Sequence, residues 1–99
     1  MQVNISGHHV EVTEALHEYV GSRLEKIQRH FDQIGNVQIT FTVEKLRQKA
    51  EASVNIKGAQ IHAEAVDEDL YTAIDQMTDK LDRQLLQHEE KAVNRTHGN

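Results

Sequence analysis

The stretch Val37-Gln38-Ile39-Thr40-Phe41-Thr42-Val43 alternates apolar and polar side chains without a break. A period of two places Val37, Ile39, Phe41 and Val43 on one face of a strand and the polar residues on the other. Two further runs keep this rhythm: Ala50, Ala52, Val54 and Ile56, then Ala59, Ile61, Ala63 and Ala65. Lys57-Gly58 between them predicts a hairpin turn. The charged segment Glu44 to Lys49 predicts the connection before them. Near the start of the chain, Val3 and Ile5 predict a short strand that breaks at Ser6-Gly7-His8-His9.

The remaining segments carry a helical period. Thr13 is an N-cap candidate, and Glu14 follows in the first turn, where the helix dipole favours an anion. Leu16, Val20, Leu24, Ile27 and Phe31 then recur at helical spacing, and Gly35-Asn36 predicts the turn after the helix. Asp67-Glu68-Asp69 offers caps for a second helix with Leu70, Ile74, Met77, Leu81 and Leu85 on its apolar stripe. The order is β-α-β-β-β-α, an α+β domain. Its four-stranded sheet carries both helices on one face and is wet on the other. Gln38, Thr40, Thr42, Glu51, Ser53, Asn55, His62 and Glu64 occupy the wet face. Alanines 50, 52, 63 and 65 allow the helices to sit close to the third and fourth strands. Residues 1–91 are expected to form the domain, and the polar residues 92–99 a flexible tail.

With 99 residues the chain has room for one small core and little else. Cysteine is absent, which excludes disulfides and thiolate metal sites. No leader and no membrane-length apolar run is evident, so a cytoplasmic, monomeric protein without membrane contact is expected. Seven histidines do not make a metal site: His8 and His9 are adjacent, and no His-Glu-x-x-His helix accompanies them. No nucleophile-base constellation or phosphate loop is present, so neither catalytic residues, metal ligands nor cofactors are expected.

Charge is the more telling pattern. The net charge is -5, which gives no overall attraction for nucleic acid. On a wheel of about 100° per residue, however, the cations fall into stripes. Arg23, Lys26, His30 and, further round, Arg29 flank the apolar face of the first helix. Lys80, Arg83 and Lys91, with Gln87 among them, flank that of the second. Glu14, Glu18, Glu25 and Asp32 lie on the far face of one helix, and Asp75, Asp79, Asp82 and Glu90 beyond the stripe of the other. If the helices run parallel, the basic stripes are expected to join into one track for phosphates. The sheet face carries no aromatic residue, which excludes base stacking there and leaves recognition by shape and backbone. Tyr19 and Tyr71 are candidates either for stacking on RNA or for packing between elements.

Several blocks then point to a family. Met1-Gln2-Val3-Asn4-Ile5-Ser6-Gly7 with Glu11-Val12-Thr13-Glu14-Ala15-Leu16, Val43-Glu44-Lys45, Ile61-His62-Ala63, and above all Asp69-Leu70-Tyr71-Thr72-Ala73-Ile74-Asp75 with Asp79-Lys80-Leu81-Asp82-Arg83-Gln84-Leu85 resemble the short hibernation-promoting factors, bacterial ribosome-associated inhibitors. The likeness covers residues 1–91. It implies a fold related to double-stranded-RNA-binding domains and a non-enzymatic function. It further implies binding to the 30S subunit and its 16S rRNA in the mRNA and tRNA channel, and silencing of translation in stationary phase or stress. Inactive 70S and paired 100S ribosomes, and the small partner ribosome modulation factor, belong to the same picture. The family's basic positions correspond to Arg23, Lys26, Lys80 and Arg83, and Lys45 and Lys91 also fit. The second helix ends on Gln87-His88-Glu89-Glu90, less basic than is usual in the family. The competing expectation is a protein-interaction adaptor that uses the acidic helix faces and ignores ribosomes.

Overall fold

The first strand begins almost at the N-terminus, because Val3 and Ile5 pair in register with Val37 and Ile39 of the alternating stretch. A computed structural model describes the backbone of residues 1–97 and the side chains of residues 1–89. The elements are β1 (Gln2–His8), α1 (Glu14–His30), β2 (Ile34–Glu44), β3 (Arg47–Ile56), β4 (Ala59–Asp67) and α2 (Leu70–His97). The sheet order is β1-β2-β3-β4, with β1 parallel to β2 and the remaining pairs antiparallel. Helix α1 makes the crossover that a parallel pair requires. The β-α-β-β-β-α order is the one the sequence patterns dictate.

The core lies between the sheet and the helices. Phe41, Ile39, Val37 and Val54 from the sheet meet Val20 and Leu24 of α1 and Ile74, Met77 and Leu81 of α2, all essentially without solvent contact. Burying each of these side chains contributes on the order of 1.5–3 kcal/mol. Ala50, Ala52, Ala63 and Ala65 are buried beneath the helices. Helix α1 is capped as its sequence dictates, with the Leu16 N–H donating to Thr13 Oγ1 at 3.2 Å. Asp69 caps α2: its carboxylate accepts from the Thr72 N–H at 3.0 Å and the Thr72 hydroxyl at 2.8 Å.

The strands are longer than the turn signals suggest. Ser6, Gly7 and His8 continue β1 because Thr40, Phe41 and Thr42 supply paired neighbours. Gly35-Asn36 lies inside β2, at an irregularity in the pairing with β3, and α1 has already ended at Phe31. The segment Glu44–Lys49 is mostly strand, so only Lys45 and Leu46 link β2 to β3. Helix α2 continues to His97, past the point where the polar composition predicts a tail. The side chains from Glu90 onward, including Lys91, lie outside the described residues.

Two glycines test the backbone in opposite senses. At Gly7 a Cβ would press into the Val10 carbonyl oxygen, where the chain folds back after β1; at Gly21, on the exposed side of α1, nothing lies within 4 Å. We predict that Gly7→Ala lowers unfolding stability by about 2 kcal/mol or more. Gly21→Ala should raise it by about 0.4–1 kcal/mol. Urea titration of the two variants checks both signs.

Candidate nucleic-acid interface

The two helices touch along one seam. Tyr19 of α1 meets Tyr71 of α2 edge-to-face, with ring centroids 4.9 Å apart. One turn further along each helix, Arg23 Nε donates to Asp75 Oδ1 at 2.8 Å, and the Tyr19 hydroxyl donates to the same oxygen at 2.6 Å. Both the 19–71 and the 23–75 contact advance together, so the helices run parallel. The Arg23 guanidinium also lies over the Tyr19 ring, 5.7 Å from its centre.

Parallel helices with the same sense of charge flank cannot turn both basic flanks to the same surroundings. Arg23, on the basic flank of α1, faces α2 and meets Asp75 of its acidic flank. The basic flank of α2 faces the other way. There Lys80 Nζ donates to the Glu64 carbonyl at 2.9 Å, and Gln84 donates to the His62 carbonyl at 2.8 Å. These carbonyls belong to β4, the last strand of the sheet. Arg23 is taken up by Asp75 and is not free to join a phosphate track with the cations of α2. Lys80 and Gln84 also cover an otherwise open strand edge, a liability in any sheet.

The individual cations differ accordingly. Arg23 is half-buried and engaged by Asp75, whose hydrogen bond, against the opposing effect of burial, raises the affinity of the guanidinium for its proton. Arg29 forms an exposed pair with Glu25 at 3.3 Å, of the kind worth little in water. Lys26 is exposed beside the seam, and His30 lies at the rim of a cleft of about 410 Å³ floored by Phe31, Ile34, Ile56 and Leu85. Lys45 sits at the tip of the β2–β3 hairpin. Lys80 spends one donor on β4 and remains exposed; Arg83 and Gln87 are exposed on the same helix. The structure thus brings Lys80, Arg83 and Gln87 onto α2, keeps Lys26, Arg29 and His30 on α1, and withdraws Arg23 into the seam. Tyr19 and Tyr71 are packing residues between helices. Nothing in the sequence marks Asp75 as a partner of Arg23, since the pair is 52 positions apart.

The outer sheet face holds a separate polar cluster. Lys49 Nζ lies 3.1 Å from Glu64 and 3.8 Å from Glu51. The His62 ring approaches the same two carboxylates at 3.6 and 3.9 Å. Hydrogen bonding from Lys49 lowers the Glu64 carboxyl below its usual range. Glu51, His62 and Glu64 place donor atoms within 4.8 Å of one another, a spacing a cation could use. Lys49 already supplies the positive charge there.

The arrangement is that of a small α+β domain with charged side chains exposed along both helices. Residues 3–93 match the family described as sigma 54 modulation protein / S30EA ribosomal protein, and the chain belongs to that family of non-enzymatic, ribosome-associated proteins. It is 53% identical over 98 residues to the ribosome hibernation promoting factor of Azotobacter vinelandii, covering 99% of this chain and 92% of that one. It is 44% identical over 91 residues to the factor of the same name from Escherichia coli K12, covering 92% and 96%. Among solved structures, a ribosomal subunit interface protein from Coxiella burnetii superposes with a TM-score of 0.87 at 32% identity, covering 91% of this chain and 99% of that one. The N-terminal domain of Thermus thermophilus Protein Y gives 0.79 at 29% identity, covering 85% and 94%.

The helix seam has a pH signature. Burial raises the Asp75 carboxyl, but the hydrogen bonds from Tyr19 and Arg23 outweigh it, and the net shift is downward. A carboxyl depressed in the folded state stabilises fully above its ordinary pKa of about 3.9 and loses that contribution as pH falls through the lower folded value. Asp75→Asn should therefore lower the melting temperature at neutral pH, and the gap to the parent should close as pH drops below about 4. Thermal scans at neutral and acid pH read this directly.

Proposed function

We propose that this chain is a ribosome hibernation factor: its residues 1–91 bind the 30S subunit against 16S rRNA in the mRNA and tRNA channel. Bound there, it blocks decoding in stationary phase or stress and favours inactive 70S and paired 100S ribosomes, with ribosome modulation factor as a partner. The observation that carries the RNA-binding part is the exposure of Lys80 and Arg83 on the outer flank of α2, away from the acidic seam. The family membership and the names of the relatives support the ribosomal part. Contacts of this kind position a protein on phosphates without reading bases. They suit a chain whose net charge is -5, because affinity then depends on where the cations are and not on how many there are.

The cytoplasm is the compartment this reading requires, and no helix among the described residues is long and apolar enough to cross a membrane. A monomer suffices for the proposed contacts. The adaptor reading is weaker on one specific ground: Asp75, at the centre of the acidic flank, is used within the molecule.

Lys80→Glu with Arg83→Glu should abolish co-sedimentation with small ribosomal subunits at moderate salt while circular dichroism stays unchanged. Residual binding at low salt should show a log K against log salt slope shallower by about 2, one for each lost phosphate contact. Lys80→Gln keeps a donor for the Glu64 carbonyl and so separates loss of charge from loss of the edge cover. Co-sedimentation of the double variant at the parent level would contradict the proposal.

A further inference from the structure

The antiparallel pairing of β3 with β4 gathers three ligand-type side chains on the outer face of the sheet. Glu51 stands opposite Glu64, and Ser53 opposite His62. His62 and Glu64 are two positions apart on β4, so they share that face. No contiguous motif announces the set, because Glu51 comes from the neighbouring strand. The ligand atoms of Glu51, His62 and Glu64 all lie within 4.8 Å of one another. Glu51 is half-buried, while His62 and Glu64 are open to solvent. The strand that carries two of the three is held along its outer edge: Gln84 and Lys80 of α2 donate to the His62 and Glu64 carbonyls.

The ion pairs of Lys49 account for the two carboxylates but leave the imidazole unexplained. His62 Nδ1 lies 3.2 Å from Ser53 Oγ, a contact that fixes the ring and turns Nε2 towards the glutamates. Nε2 stands 3.6 Å from Glu64 and 3.9 Å from Glu51, too far to hydrogen-bond either one. Ligand atoms bound about 2.1 Å from one ion are themselves about 3–3.5 Å apart. The two separations exceed a common coordination sphere by a few tenths of an ångström, which small side-chain rotations supply. With Nδ1–H donating to Ser53, the lone pair on Nε2 faces the carboxylates, the state in which histidine ligates.

We propose that Glu51, His62 and Glu64 form a binding site for a divalent transition-metal ion of the zinc class, and that the ion displaces Lys49 when it binds. Two carboxylates with an imidazole suit zinc and its neighbours better than magnesium or calcium, which take oxygen ligands. Three protein groups converge, so water fills the remaining coordination positions. Lys49 Nζ sits 3.1 Å from Glu64 and 3.8 Å from Glu51, so the ion and the ammonium compete for the same two anions. Entry of a dication frees Lys49 and turns one excess negative charge in the cluster into one excess positive charge. The site thereby couples the charge of the outer sheet face to metal supply. It is independent of the helix flanks on which the RNA-binding proposal stands.

The test titrates the metal-free, untagged protein with zinc chloride, followed by calorimetry and by NMR of the histidine rings. The proposal predicts a single ion in the tightest step, with the His62 ring signals moving first and magnesium chloride giving no response. His62→Gln and Glu51→Gln should each weaken that step by about tenfold or more, with melting temperatures unchanged in the absence of metal. Lys49→Met separates a metal site from a plain ion-pair cluster. It should bind zinc about fivefold more tightly, the effect of deleting one unit charge about 4 Å from the ion in high-dielectric surroundings. Zinc should also raise the melting temperature of the parent and leave that of His62→Gln in place. Parent-level binding by His62→Gln, or first shifts at the rings of His8 and His9, would mean an adventitious ion only and would overturn the proposal. So would the absence of a one-to-one step, or Lys49→Met binding no more tightly than the parent.

Discussion

The close seat of α2 on β3 and β4 is the constraint on which the rest of the surface depends. It exists because Ala50, Ala52, Ala63 and Ala65 fill the inward positions of those strands, while Ile74, Met77 and Leu81 press down from the helix. A helix so near the last strand can reach the strand's open carbonyls with Lys80 and Gln84. The opposite flank then faces α1, and Asp75 arrives where Tyr19 and Arg23 can meet it. Larger residues at the alanine positions would lift α2 and disturb the edge cover and the seam together.

The seam gives a second function to charges that a helical wheel assigns to solvent. Arg23 and Asp75 are each about one-third exposed, so their pairing is neither a free surface ion pair nor a desolvated one. The Tyr19 hydroxyl and the Arg23 guanidinium converge on one carboxylate oxygen, and the edge-to-face tyrosines close one side. The result fixes the relative position of the helices at a point where little apolar contact does so. It also removes one cation and one anion from the outer surface and leaves α2 to present Lys80 and Arg83 in an otherwise acidic molecule.

The fold was legible because each element carries an unmixed period. The alternation from Val37 to Val43 and the stripe from Leu70 to Leu85 admit one reading each. The caps at Thr13 and Asp69 act where their chemistry places them. The misjudged boundaries share a cause: tertiary pairing overrides local turn signals. Gly7 reads as a break in isolation, yet its cross-strand partner Phe41 holds it in β1, while Gly35 stays inside β2 at the irregularity in its pairing with β3. The charged run from Glu44 to Lys49 reads as a loop, yet a hairpin with one exposed face tolerates charge. The sorting of charge along each helix was legible too. Its outcome was not, because a wheel gives the angle of a flank and not the neighbour it faces. Arg23 and Lys80 look equivalent on their wheels and end on opposite sides of α2.

The central claim is that an acidic chain binds the small ribosomal subunit through a few well-placed cations. Co-sedimentation of the purified protein with isolated small subunits, measured across a salt series, tests it most directly. The claim predicts saturation at a single copy per subunit and affinity that falls steeply as salt rises, because bound phosphates release counterions. Absence of binding at low salt, or binding indifferent to salt, would contradict it.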